Sequence, residues 1–155
     1  MHQMNRRELG LTLSAFAMLG SLSAEAQNIS SSDDTPTLLH SELFTYDKLP
    51  VHTAPNGMTS RAVVHGTLAT GEFIEVHETT LPAGEMPHPP HRHTHSELLL
   101  IRDGELQVDS DGQRGIVHAG DVVFTASAVL HSLKNVGTGP ASYFVVAVGI
   151  QRAIA

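Results

Sequence analysis

The sequence predicts an all-β single domain of jelly-roll or barrel type, and three observations lead there. The length of 155 residues fits one domain, and 41% hydrophobic with 16% charged residues is an ordinary balance for a globular core. The 13 Gly and 8 Pro residues sit mostly between short apolar runs, which is how chains of many short strands are divided. The runs themselves are rich in β-branched and apolar residues at strand length.

Taken in order, the chain opens with a segment that does not belong to the fold. Arg6 and Arg7 precede an uncharged apolar run from Leu9 to Leu22, and Ala24-Glu25-Ala26 supplies a small-x-small cleavage pattern. The run is 14 residues long, too short to hold a helix across a hydrocarbon core of roughly 30 Å. It therefore reads as a signal peptide, residues 1–26, cleaved after Ala26. The expectation is a periplasmic or secreted protein with no membrane anchor after cleavage. Asn5-Arg6-Arg7-Glu8-Leu9 also resembles a twin-arginine export signal, with Asn5 where Ser or Thr is usual and without the common Lys. On that route the protein folds, and loads any metal, before it crosses the membrane.

The mature chain, Gln27 to Ala155, contains no cysteine, so disulfides are excluded and a metal would be held by nitrogen and oxygen. Cleavage removes two acidic and two basic residues and leaves the formal charge at −7. An acidic chain poor in aromatics is a poor partner for phosphate backbones, which excludes nucleic acid as the main ligand. Residues 27–42, with Ser30-Ser31-Ser32-Asp33-Asp34, read as a flexible leader, and residues 43–152 as the domain. Leu38 to Pro50 mixes apolar and charged residues; an edge strand over Leu38 to Tyr46 with apolar outward positions would pair two copies into a homodimer.

After the Asn56-Gly57 turn, strands are predicted over Arg61 to Leu68, Phe73 to Leu81, Glu97 to Arg102, Glu105 to Asp109, Gly115 to His118, Asp121 to Thr125, His131 to Asn135 and Tyr143 to Val148. Asp103-Gly104, Asp111-Gly112, Ala119-Gly120 and Gly137 to Pro140 mark turns between them. Leu98 to Ile101 are apolar in succession, so that strand is expected to be buried on both faces, one of them lining an internal cavity.

The chemistry concentrates between Met86 and Glu97, where His88, His91, His93, His95 and Glu97 fall within ten residues. Neutral imidazole and carboxylate are ligands for divalent transition metals, and a cation offsets the crowding of such groups. On an extended segment His91, His93, His95 and Glu97 all share parity, so spacing alone does not choose between His95 and Glu97.

Two stretches resemble the paired motifs of the cupin superfamily. The first runs from Gly84 through His91-x-His93 and Glu97 to Gly104, with one residue more than usual in its first gap. The second runs from Gly120 through Ala126-x-Ala128 and His131 to Asn135, with alanines where the family carries Pro and Gly. The resemblance covers about half of the mature chain. It implies a cupin-type jelly-roll β-barrel in which His91, His93, Glu97 and His131 bind one divalent metal near the barrel mouth, with His95 as the alternative to Glu97. Iron or manganese come first, with zinc, nickel and copper as the other choices. Loss of the Pro and Gly leaves the loop ahead of His131 open to a shift, while His131 stays in the expected ligand set.

Two residues remain candidates for acid–base work: His77, on a strand with Glu75 and Thr79, and His88, in the stiff Pro87-His88-Pro89-Pro90 segment. Glu75 is expected to face water. His40, His52, His65 and His118 carry no spacing signal and read as surface residues. Leu99, Ile101, Phe124, Tyr143 and Met86 are expected to line the interior, which suits a small organic molecule that chelates through oxygen. The expected function is a metal-dependent, dioxygenase-like enzyme; the alternative is a non-catalytic cupin that binds a metal and small ligand for sensing or storage. No phosphate-binding glycine loop or hydrolytic dyad is evident.

Overall fold

The computed structural model describes residues 35–150. The signal-peptide segment, residues 27–34 of the leader and residues 151–152 lie outside the described residues. Within them the chain forms ten strands and one 3-10 turn, with no α-helix. The strands are β1 (Thr37–Leu38), β2 (His52–Thr53), β3 (Thr59–Leu68), β4 (Phe73–Leu81), β5 (Ser96–Asp103), β6 (Glu105–Ser110), β7 (Gln113–His118), β8 (Val122–Thr125), β9 (His131–Asn135) and β10 (Ala141–Gly149). One sheet runs β1-β3-β4-β10-β5-β8 with β2 on the edge of β3; the other runs β7-β6-β9. Together they form a jelly-roll β-sandwich, as the sequence predicts.

The strands form where alternation lets one face be buried. On β4, β10 and β5 the residues Leu81, Ala141, Tyr143, Val145, Leu99 and Ile101 face inward and are each at most 6% exposed. They pack with Leu106, Val108 and Leu133 from the smaller sheet into one core. Turn chemistry fixes the corners. Gly104 sits at φ +85°, where a side chain would also strike Ala141 and Pro140 at 2.5 to 3.0 Å, so only glycine fits between β5 and β6.

Three expectations are corrected. The strand over Leu98 to Ile101 is buried on one face only: Leu99 and Ile101 join the core, while Leu98 is half-buried and Leu100 is 41% exposed. Leu99 and Ile101 therefore face packed side chains rather than a cavity. Phe124 is 63% exposed and pairs with Leu98 on the outer face, so it does not line the interior. The stretch Leu38 to Tyr46 is not one edge strand. Only Thr37–Leu38 pairs, in parallel, with β3, and this contact is close because Gly66 leaves no room for a side chain against Pro36 and Leu38.

The sheet thus reaches back into the leader. Beyond it, Tyr46 of the 3-10 turn Tyr46–Lys48 takes the guanidinium groups of Arg61 and Arg102 at 4.5 and 4.3 Å from its ring centre. Arg61 also pairs at 3.1 Å with Glu78, which is fully buried; a carboxylate there needs such a partner.

Candidate metal centre

The histidines gather where the first turn of the chain after β4 meets the start of β9. His91 and His131 exchange both backbone hydrogen bonds at 3.1 Å, an isolated bridge that sets their side chains next to each other. His93 lies two residues further on, and its carbonyl accepts from the Ala128 amide at 2.7 Å, so the loop before β5 and the loop before β9 are zipped together. Arg92 donates to the Ala128 carbonyl at 2.7 Å and adds to that zip.

The loop ahead of His131 carries alanines at both motif positions, Ala126 and Ala128. Ala128 adopts φ +62°, the left-handed conformation that a glycine would supply freely. The alanine bears the strain of that conformation. At the far end of the same motif Asn135 is fully buried, and its amide donates to the carbonyls of Leu81 and Gly139 while its oxygen accepts from Gly137. Gly84 and Glu85 bond to the Asn135 backbone as well, which fastens the base of the His91 loop to β9.

The three rings converge. His91 and His93 are 5.2 Å apart between centres, His91 and His131 4.5 Å, and His93 and His131 4.7 Å. Each contributes one ligand nitrogen, and these lie within 4.8 Å of one another. His93 Nδ1 sits 2.8 Å from the His95 carbonyl and His131 Nδ1 2.9 Å from the Val129 carbonyl. A carbonyl only accepts, so both rings carry a proton on Nδ1, and in the neutral ring Nε2 is the nitrogen left to ligate. Those two Nε2 atoms, with His91 Nδ1, are buried and have no hydrogen-bond partner. Three buried ring nitrogens without partners are costly unless a cation takes their lone pairs, so the donor set fits a divalent metal.

The electrostatics suit ligands. Burial, and then the neighbouring His88, His131 and His93, push His91 down to about 4, so it is neutral at ordinary pH. Burial also pulls His93 down, but the Glu97 carboxylate and the His95 carbonyl outweigh it and hold His93 above its usual value. Glu97 lies 3.3 Å from His93 Nε2, off the line of a hydrogen bond. Burial raises Glu97, yet His93 outweighs that and keeps the carboxylate ionised more readily than usual.

The structure also sorts the remaining candidates. Of the motif residues, only Glu97 lies on β5; His91, His93 and His95 precede it in the loop, so shared strand parity is not what aligns them. His95 does not point at the His91–His131 pair. It stacks on His93 at 4.0 Å and 12°, and groups with His93 and Glu97 as a second potential ligand set. His88 is exposed and stands edge-on to His91 at 3.9 Å, at the rim of the cluster. His77 lies on the inner face of β4, 3.3 Å from Glu75, which faces inward with it and is 25% exposed rather than turned to water. Glu75 thus shares the inner face of β4 with His77 and Thr79, as their even spacing allows. His40, His52, His65 and His118 are exposed. Met86 is half-buried. Cavities of about 320 Å³ beside Tyr46 and about 470 Å³ between β7 and β8 lie away from the histidines.

Comparison with known proteins adds the family context. No curated protein is similar enough in sequence to count as a match. Among solved structures, an RmlC-like cupin from Shewanella frigidimarina is 18% identical, with 72% of this chain and 95% of that one covered and a TM-score of 0.60. A predicted oxalate decarboxylase from Thermotoga maritima is 19% identical over 69% of this chain and 98% of that one, with a TM-score of 0.59. An oxalate oxidase is 21% identical over 71% of this chain and 63% of that one, with a TM-score of 0.55. These identities speak to the fold. Residues 77–147 match the cupin domain family, and this match, with the shared fold, supports placing the chain in the cupin superfamily.

Proposed function

We propose that this chain is an exported, metal-dependent cupin that acts on a small organic molecule chelating through oxygen, with dioxygenase-like turnover as its activity. The observation that carries the reading is the set of three buried, unpartnered imidazole nitrogens within 4.8 Å of one another. His91, His93 and His131 would hold the ion, with Glu97 beside His93 as the fourth ligand. When bound, iron or manganese supplies Lewis-acid and redox chemistry at this point.

The chain's own residues do the rest. The carbonyls of His95 and Val129 fix the tautomers of His93 and His131, so both rings are oriented before any ion arrives. Glu97 offsets part of the cation's charge. Leu99, two residues inward from Glu97, and Tyr143 close the floor with apolar surface and keep water from reaching the site from the core side. His88, at the rim beside His91, is placed to exchange protons with an incoming molecule.

Oxygen uptake by the iron-loaded and manganese-loaded protein, across a panel of small oxygen chelators, tests the reading. Uptake that needs both a chelator and His131 is the expected result. Tight chelator binding without turnover would instead make the chain a binding module. Pairing of two copies is part of the proposal and rests on the exposed Leu39, Leu43 and Phe44 beside β1. Light scattering that gives the mass of one chain would refute it.

A further inference from the structure

One row of the large sheet crosses the mouth of the site. Glu75 on β4 pairs with Ala147 on β10, and Ala147 pairs with Glu97 on β5, so the two carboxylates stand on the same face with one methyl group between them. Their Cα atoms are two strand spacings apart, roughly 10 Å. Ala147 is 2% exposed and too small to fill the gap between longer neighbours. Glu75 is held by His77 at 3.3 Å from its own strand. His95 from the loop and His65 from β3 are the other titratable groups acting on Glu75. The His77 ring beside it, set against burial, keeps its carboxyl below the usual range, so it is an anion at neutral pH.

Among the described residues no lysine or arginine pairs with these carboxylates. Arg61 is spent on Glu78 and Tyr46, Arg102 on Tyr46, and Arg114 on Asp109. Arg92 is held on the Ala128 carbonyl, and Lys48 and Lys134 lie on the 3-10 turn and on an exposed position of β9. These are all the lysines and arginines among the described residues. A ligand carboxylate reaching past the histidines would meet Glu75 without any of these cations beside it, whereas an ammonium or hydroxyl group would find an acceptor.

We propose that Glu75, oriented by His77, is the second recognition pole of the site, and that the ligand is an oxygen chelator with a cationic or hydrogen-bond-donating tail rather than a dicarboxylate. This rests on the metal-site reading above and narrows its substrate class. It also separates the chain from its oxalate-named structural neighbours, whose similarity is one of fold.

Dopamine and 3,4-dihydroxyphenylacetate test it, because they share a catechol chelator and carry tails of opposite charge. Both are titrated calorimetrically into the full zinc-loaded chain, zinc being chosen because it does not oxidise catechols. Metal content is checked before and after. The expected result is about tenfold tighter binding of the ammonium compound, the scale of one charge-assisted hydrogen bond. In Glu75→Gln that preference should fall to within about twofold with zinc content unchanged, and His77→Gln should weaken it partway. A loaded chain that prefers the carboxylate, treats the two alike, binds neither, or keeps its preference in Glu75→Gln overturns this inference alone. A chain that takes up no zinc overturns the metal site as well.

Discussion

The two ends of the space between the sheets are built by the same strands and behave oppositely. On β5 the inward positions run Glu97, Leu99, Ile101; on β4 they run from Glu75 and His77 to Thr79 and Leu81; on β9 they run from His131 to Leu133. Within two or three inward residues, each strand passes from ligand-bearing mouth to apolar floor. The floor is satisfied by packing alone, whereas the mouth keeps three imidazole nitrogens without partners. Stability is therefore concentrated at one end and unmet bonding capacity at the other, and the transition is short because strand alternation lets one residue step change the environment completely.

Substitutions at the floor should give the largest effects on stability and the smallest on metal. Leu81 is fully buried, and Leu81→Ala should cost about 3 kcal/mol in denaturant unfolding while the chain keeps its metal content. If metal is lost in step with stability, the two ends are not separable. Asn135 sits at the seam, and Asn135→Ala removes its side-chain bonds to Leu81, Gly139 and Gly137; a loss of about 2–3 kcal/mol is expected by the same measurement.

pH sharpens the contrast, since the ends should fail at opposite extremes. Burial holds His91 down to about 4, so the folded metal-free chain resists a proton that the unfolded chain accepts near 6.5. Its contribution is complete above about pH 6.5 and is lost as pH falls toward about 4. Burial pushes Tyr143 well above its ordinary value, so the neutral phenol is favoured in the fold and stability is lost as pH rises beyond about 10. Unfolding curves across pH should show an acid limb that metal loading shifts, and an alkaline limb that Tyr143→Phe flattens.

The smallest effect is expected at Ala128. Relief of its left-handed backbone in Ala128→Gly should raise stability by about 0.5–1 kcal/mol without moving metal content. A destabilised variant would mean that the alanine methyl contributes packing that outweighs the strain.

Most of the floor was legible in the sequence and only part of the mouth. Phe73–Leu81 and His131–Asn135 form strands over the predicted bounds because each is a short run between clear turn signals, rich in β-branched or apolar residues. Leu98 and Leu100 misled because their outward face is also apolar, and an unbroken apolar run looks the same whether its second face is buried or merely covered in part. Phe124 misled for the same reason. The convergence of His91, His93 and His131 followed the spacing of the two motifs, since the backbone bridge between His91 and His131 joins the loops that the motifs define. The position of Glu75 was not legible, because it depends on β10 lying between β4 and β5, a pairing of strands far apart in the chain.

The measurement closest to the centre of this account is elemental analysis of the mature protein, purified from its native compartment without added metal, beside His91→Ala and His131→Ala. One equivalent of iron or manganese in the parent, lost in both variants while the fold persists, is the predicted result. A parent without metal, or metal content untouched by either substitution, would contradict the claim that the unpartnered histidines are there to hold an ion.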